Sequence, residues 1–192
     1  MLELQRFLLC RPNGPREAGW QYAILDGDTE RRVGFARENP GRLVGFLARV
    51  VSRRVLPCRV EVRETGDEPL VFVLTSPPRL FASQIEISDA DDHTVGHVRL
   101  APRSGGETGR ILDSGNGLFA KLQGNWSTKS IVMARPDGSE LATVRKESPS
   151  SAARHVDPAS CLFLSLDELV ADDPFAKMLL LGSALGLDLV YR

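Results

Sequence analysis

The sequence lacks a strong charge of either sign, a long apolar run and a paired set of cysteines. Its 192 residues carry a formal net charge of −1, so no general attraction to nucleic acid is expected. The N-terminal stretch is interrupted by Glu3 and Arg6 and does not provide the apolar region of a signal peptide. A cytoplasmic location follows by default, and the length suits a single domain over residues 1–192.

The chain also lacks the motifs of common enzymes and metal sites. There is no GxSxG elbow, no P-loop and no HExxH, so an enzyme is not predicted. His93 and His97 fall on a turn and the strand after it, which predicts surface or edge histidines. No metal or cofactor is expected, because the cysteines and histidines show no zinc-ligand spacing. We expect reduced, partly buried thiols at Cys10, Cys58 and Cys161.

The most informative segment is the last one, from Met178 to Leu187, which is apolar on every side. A helix of this kind must be enclosed, and its ten uncharged residues are too few for the roughly 20 of a membrane span. We therefore predict a buried core helix. Lys177 and Asp188 bound the apolar stretch and lie on nearly the same face. The remaining expected features are a cap at Asp172 or Asp173, Pro174 in the first turn, and close strand contacts at Gly182 and Gly186.

Three segments repeat one pattern of strand, acidic turn and strand, beginning at Tyr22, Ile85 and Ile131. The first two share an Asp and a later Gly, which we interpret as residues that accept the positive φ of tight turns. The repeat predicts a β-meander of hairpins. The matched pairs are Asp26 with Gly34 and Asp89 with Gly96, and Asp137-Gly138 forms the third turn.

About twelve short strands are predicted, and a sheet that large usually closes into a barrel. The fold class is therefore mainly β, a closed antiparallel barrel around the C-terminal helix. Residues 148–160 are interpreted as a loop before the last strand, and Trp20 and Trp126 as aromatic core anchors. The predicted strands begin near Leu2, Trp20, Arg32, Pro57, Leu70, Leu80, Thr94, Thr108, Gly117, Thr128, Leu141 and Cys161.

One segment departs from the β pattern, near residues 41–54. Its apolar residues recur with the helical period, with Asn39 as the cap and Pro40 in the first turn. The opposite face carries the candidate binding residues for phosphate or an acidic partner, Arg42, Arg49, Arg53 and Arg54. This basic amphipathic helix either packs on the barrel with solvated arginines or meets an anionic lipid surface.

Residues 118–147 and 163–192 resemble the phospholipid scramblase and tubby C-terminal-like superfamily, which includes the LURP-one-related proteins. The carrying motifs are LFAKLQGNWSTKSIVMARPDGSELATVRKE and the C-terminal helix, with Lys177 near its start and Leu187-Asp188-Leu189 with Tyr191 at its end. The resemblance implies a twelve-stranded antiparallel barrel around that helix. The residues for which we predict structural roles are Trp126, Lys177, Gly182, Gly186 and Asp188.

The resemblance implies several functions. Tubby-like members bind phosphoinositides, and scramblase members associate with membranes and bind calcium. The scramblase calcium spacing is not reproduced by the acids before the final helix, which are Asp157, Asp167, Glu168, Asp172 and Asp173. We therefore expect a non-enzymatic binding module for anionic phospholipid headgroups or a protein partner, peripheral at a membrane. The alternatives are a structural or protein-interaction barrel without a lipid role, and phospholipid scrambling.

Overall fold

A computed structural model describes residues 1–12, 21–39, 56–78, 84–100, 107–125, 130–147 and 156–191. The described elements are twelve strands, a short 3₁₀ helix at Glu168–Val170 and one α-helix. The strands are β1 (Arg6–Pro12), β2 (Gln21–Asp26), β3 (Arg32–Glu38), β4 (Cys58–Glu64), β5 (Leu70–Ser76), β6 (Gln84–Asp89), β7 (Thr94–Leu100), β8 (Glu107–Asp113), β9 (Leu118–Asn125), β10 (Ser130–Ala134), β11 (Glu140–Glu147) and β12 (Val156–Leu166), and the helix is α1 (Pro174–Tyr191).

The strands form a closed antiparallel barrel in which each pairs with its sequence neighbours and β1 pairs with β12. This confirms the predicted fold class. The predicted strand starts lie within two residues of the observed ones except at β1, β6 and β12. The expected loop over residues 148–160 is wrong at its end, because Val156 already pairs with Pro12 of β1 and extends β12 through a Pro-containing segment. At β1, a turn from Met1 to Leu4 precedes the strand.

Helix α1 packs against the inward side chains of the barrel and forms one core with them. Leu180, Leu181 and Leu185 are fully buried, as an all-round apolar helix requires. The helix begins where Asp173 Oδ1 accepts the Ala176 N–H at 3.0 Å, so Asp173 is the predicted cap. Among the described residues, no helix is long and apolar enough to cross a membrane.

The two helix glycines lie where strand side chains approach α1 most closely. A Cβ on Gly182 would stand 2.7 Å from Ile87 Cδ1 and 3.1 Å from Leu74 Cδ2. A Cβ on Gly186 would stand 2.7 Å from Ile85 Cδ1 alone. Side chains of β5 and β6 therefore crowd against the helix at its two glycines.

The three predicted hairpins share the same aspartate chemistry. Asp26 Oδ1 accepts the Asp28 N–H, Asp89 Oδ1 accepts the Asp91 N–H, and Asp137 Oδ1 accepts the Ser139 N–H, each at 2.9 Å. Hydrogen bonds to the charged form lower the pKa of all three carboxyl groups from the ordinary value. The largest contributions come from the Asp28 N–H at Asp26, from the His93 N–H at Asp89, and from the Ser139 hydroxyl at Asp137.

The matched glycines Gly34 and Gly96 do not provide the turn geometry assigned to them. Positive φ falls on Glu30 and Asp92 instead. The two glycines serve close packing, since a Cβ on Gly34 would stand 2.6 Å from the Arg63 carbonyl oxygen and one on Gly96 2.2 Å from that of Leu112. Gly138, at φ 92, does have the positive φ predicted for the third turn.

The expectation of reduced thiols is wrong for two of the three cysteines. Cys10 of β1 and Cys161 of β12 lie directly opposite each other and form a disulfide with a Cα–Cα distance of 4.2 Å. The residues are 151 positions apart in sequence. Only the pairing of the first strand with the last, which closes the barrel, brings them together.

Candidate functional site

Because side chains fill the interior of the barrel, a binding site lies at a barrel end or on the outer surface. Every strand contributes apolar residues to a single core with α1, and residues on opposite faces of the helix, including Leu180 and Leu187, are fully buried. A ligand of headgroup size therefore meets side chains that point away from this core.

One end of the barrel is closed by an ion-pair cluster that holds the C-terminal part of α1. The Arg11 guanidinium donates to the Asp188 carboxylate and, through Nε, to the Tyr22 hydroxyl at 3.2 Å. Arg11 also lies over the Tyr22 ring, 5.5 Å from its centroid. Burial and the nearby Asp188 charge raise the pKa of Tyr22 well above its usual value, so the hydroxyl stays protonated. Asp188 therefore belongs to a mostly buried ion-pair cluster at the end of the helix.

The other end of the barrel holds Lys177, whose side chain is only 2% exposed. Its ammonium Nζ donates to the Leu2 carbonyl oxygen at 2.7 Å. Lys177 and Asp188 thus tie the two ends of α1 to residues next to or within β1, which agrees with their predicted placement on one helix face. Both act in the packing of the helix.

A groove of about 330 Å³ lies on the outer surface of β2 and β3. Phe35 and Arg37 point outward because Gly34 and Ala36, their neighbours on β3, point into the core. Arg32 lies on the same outer face because the register between β2 and β3 shifts between Ile24 and Leu25. The shift places Arg32 opposite Leu25. The lining includes Gln21, Ala23, Arg32, Phe35, Arg37 and Glu68.

The arginines of this groove differ from their neighbours in having no carboxylate partner within the described ranges. Arg32 instead lies over Phe35, with Cζ 5.5 Å from the ring centroid, and its Nε points to the Gly34 carbonyl at 3.5 Å. The other arginines on nearby strands are paired with carboxylates, in the ion pairs Arg6–Asp28, Arg59–Asp92 and Arg63–Glu61. Neither groove arginine therefore has an ion-pair partner among the described acids, although the Glu68 carboxylate lines the same groove.

An apolar cluster with the disulfide at its centre adjoins the groove on the outer face. Cys161, Cys10, Ala23 and Phe35 follow one another across β12, β1, β2 and β3 in register. Leu8, Leu25 and Phe163 pack around the two cysteines. The disulfide thus fixes the strands next to the groove, and Ala23 belongs to both features.

The prediction of surface or edge positions holds for one of the two histidines. The His93 side chain is 79% exposed, whereas the His97 side chain is only 13% exposed and is not a surface residue. Asp89, Asp91 and His93 are the group within the described ranges whose ligand atoms lie close enough to hold a metal, but Asp89 already accepts hydrogen bonds from the turn. Asp167 accepts the Leu169 N–H and Asp173 caps α1, so these two acids have local structural roles.

The four arginines predicted to bind phosphate, Arg42, Arg49, Arg53 and Arg54, lie outside the described residues, as do the whole 41–54 segment, Trp20 and Trp126. The groove residues were missed by the sequence reasoning. Alternation around Gly34 and Ala36 could have placed Phe35 and Arg37 on the outer face. It could not have placed Arg32 there, because the register shift is a tertiary feature.

A comparison with solved structures shows similarity to the crystal structure of a protein from Arabidopsis thaliana. The TM-score is 0.58 at 11% sequence identity, over 97% of this chain and 92% of the plant protein. No protein-family model matches the chain, and no curated protein matches it significantly. The similarity establishes the class of fold, a twelve-stranded antiparallel barrel with one C-terminal helix packed against it.

Proposed function

We propose that this chain is a non-enzymatic barrel that binds anionic phospholipid headgroups on its outer surface. The observation that carries the proposal is the groove, in which Arg32 and Arg37 lack a carboxylate partner among the described residues. Guanidinium groups bind phosphate through two parallel hydrogen bonds, and an uncompensated pair attracts an anionic ligand.

The resemblance of residues 118–147 and 163–192 to the tubby and scramblase superfamily supports the same function, since tubby-like members bind phosphoinositides. The twelve-stranded barrel agrees with that resemblance at the level of the fold. We therefore propose membership of this superfamily together with the lipid function.

The sequence adds a second source of positive charge, in the segment that follows β3 along the chain. Residues 41–54 follow β3, the strand that carries Arg32 and Arg37, and contain Arg42, Arg49, Arg53 and Arg54. Each basic residue close to an anionic membrane contributes about 1 kcal/mol to binding. Together the groove and this basic segment would hold the protein peripherally at a membrane.

Binding without catalysis suits the chemistry of the groove, which offers guanidinium, amide, aromatic and carboxylate groups. The cytoplasmic location stays a prediction, and the Cys10–Cys161 disulfide argues against it, because stable disulfides are rare in the cytosol.

The proposal is tested by co-sedimentation with neutral and anionic vesicles at low and high salt, with and without calcium. We expect salt-sensitive binding to anionic vesicles only, lost when Arg32 and Arg37 are changed to Glu and weakened when Arg49, Arg53 and Arg54 are changed to Glu. The matched controls change Arg99 and Arg145, or Arg99, Arg110 and Arg145, to Glu, which alters net charge equally at exposed positions on other strands.

An equal loss of vesicle binding in the control would show that net charge alone explains the binding. No binding at low salt would overturn the lipid function. A pull-down partner lost on the same reversal would then favour the protein-interaction barrel. Accelerated flip of labelled lipid in reconstituted vesicles would instead favour scrambling.

A further inference from the structure

The two groove arginines lie on the outer face of β3, one on each side of Phe35 along the strand. Arg32 lies over the Phe35 ring, so its guanidinium stands near the level of residue 35 and not at its own end of the strand. Arg37 lies two residues farther along the same face, a rise of roughly 7 Å. Arginine side chains are long enough to span this rise, so both guanidinium groups can reach one phosphate group between them.

The contact with Phe35 also orders one of these groups in advance. A cation above an aromatic ring is held by the ring quadrupole, and the Nε contact with the Gly34 carbonyl fixes a second point of the side chain. A pre-ordered guanidinium loses less conformational entropy on binding.

The groove also carries one negative charge. Glu68 lines it from the turn between β4 and β5, and its backbone is fixed because Arg63 Nη1 donates to the Glu68 carbonyl oxygen at 2.8 Å. A carboxylate in the same groove as two guanidinium groups disfavours a densely charged polyanion and matches an ammonium group. The groove is therefore complementary to a ligand that has a phosphate and, beside it, an amine.

We propose that the β2–β3 groove is a subsite for a phosphate ester of an amino alcohol, with the phosphate held by Arg32 and Arg37 and the ammonium by Glu68. This inference rests on the proposed function and specifies its headgroup. The same chemistry occurs in a membrane lipid and in a free phosphate ester, so the experiment has an arm for each source.

The first arm is a titration of the whole chain, followed by the backbone amide signals of residues 21–23 and 35–37 in NMR spectra at constant ionic strength. The probes are phosphoethanolamine, glycerol 3-phosphate, which lacks the amine, and ethanolamine, which lacks the phosphate. We expect phosphoethanolamine to bind most tightly and ethanolamine not to bind. Arg37→Gln should weaken the binding of phosphoethanolamine about tenfold, as expected for the loss of one charged hydrogen-bond donor.

Glu68→Gln provides the sharper test, because it should remove the preference for phosphoethanolamine over glycerol 3-phosphate without removing binding. Arg99→Gln is the control, since Arg99 is an exposed arginine on β7. Absence of shifts in these amides, or the same affinity in Arg37→Gln as in the wild type, would overturn the subsite.

The second arm compares vesicles containing phosphatidylserine with vesicles containing phosphatidylglycerol at equal surface charge. A preference for the aminophospholipid that disappears in Glu68→Gln supports a lipid headgroup in the groove. Equal binding to both vesicles without amide shifts would overturn the subsite and leave the proposed function intact. Amide shifts without vesicle binding would support the subsite for a soluble ester and overturn the membrane function.

Discussion

At the scale of single residues, the cluster of Arg11, Tyr22 and Asp188 links two strands to the end of the core helix. The charges are mostly buried, since the Arg11 and Asp188 side chains are 16% and 15% exposed. If either Arg11 or Asp188 is removed, the charge that stays behind is buried and has little water to replace its partner.

We predict that Asp188→Leu lowers the free energy of unfolding by about 2–3 kcal/mol, because the Arg11 guanidinium is left without its carboxylate. Denaturant unfolding measures the change. The double variant with Arg11→Met should recover part of the loss, since neither charge remains. Additive losses in the double variant would show that the ion pair contributes little.

The turn aspartates predict the response to acid. Asp26, Asp89 and Asp137 accept turn N–H bonds in their charged form, so folding lowers their pKa below the unfolded value of about 3.9. The stability that they contribute is present above that pKa and is lost as pH falls through the lower, folded value. Changing all three to Asn keeps an acceptor oxygen without a titrating proton.

We therefore expect the triple Asn variant to show a shallower fall in melting temperature than the wild type as pH drops below about 4. Asp91→Asn is the control, because the Asp91 carboxylate accepts none of these turn bonds. An unchanged acid profile in the triple variant would contradict the role of these carboxylates.

Residues whose roles depend on neighbours close in sequence were predicted. Residues whose roles depend on neighbours distant in sequence were missed or misinterpreted. The aspartates were found because their bonds run to N–H groups a few positions away. Arg32 was missed because a register shift between β2 and β3 turns it outward. Gly34 and Gly96 were found but misinterpreted, since their neighbours, the carbonyls of Arg63 and Leu112, lie on other strands.

At the scale of elements, α1 was predictable because its composition leaves a single solution, an enclosed helix. The cap at Asp173 and the two close-packed glycines followed from local chemistry. Boundaries set by pairing were less accurate, as the early start of β12 against Pro12 shows. The helix predicted near residues 41–54 stays a prediction, since it lies outside the described residues.

The two glycines of α1 should respond differently to the same substitution. Alanine is favoured over glycine in a helix by about 1 kcal/mol, whereas overpacking a core costs about 1–3 kcal/mol. Gly182→Ala meets Ile87 and Leu74 and should lower the free energy of unfolding. Gly186→Ala meets only the end of the Ile85 side chain and should be close to neutral.

Thermal and denaturant unfolding of the two variants measure this difference directly. Because both substitutions add the same methyl group to the same helix, each variant is the control for the other. Equal effects would show that the Gly182 site relaxes as easily as the Gly186 site.

At the scale of the whole molecule, the disulfide joins the first and last strands of the closed barrel. In the chain-entropy account, closing a loop of 151 residues stabilises the folded state by up to about 5 kcal/mol. Sequence reasoning could not pair Cys10 with Cys161, because scattered cysteines carry no information on which strands become neighbours.

We predict that reduction of the wild-type protein lowers its free energy of unfolding by about 2–5 kcal/mol. The double variant with Cys10→Ala and Cys161→Ala should have a lower free energy of unfolding than the oxidised wild type. Reductant should not change that value. Alkylation of unfolded protein without prior reduction should modify Cys58 and leave the other two cysteines unmodified. Modification of all three thiols would contradict the disulfide.

The pairing of β1 with β12 has a consequence for synthesis on the ribosome. A nascent chain that has not yet released its last strand and helix is an open sheet with two unpaired edges and an apolar face that nothing covers. The interior is completed only when α1 has emerged, so the barrel cannot close before residues 156–191 have left the ribosome. Until then the unpaired edges and the uncovered apolar face favour aggregation.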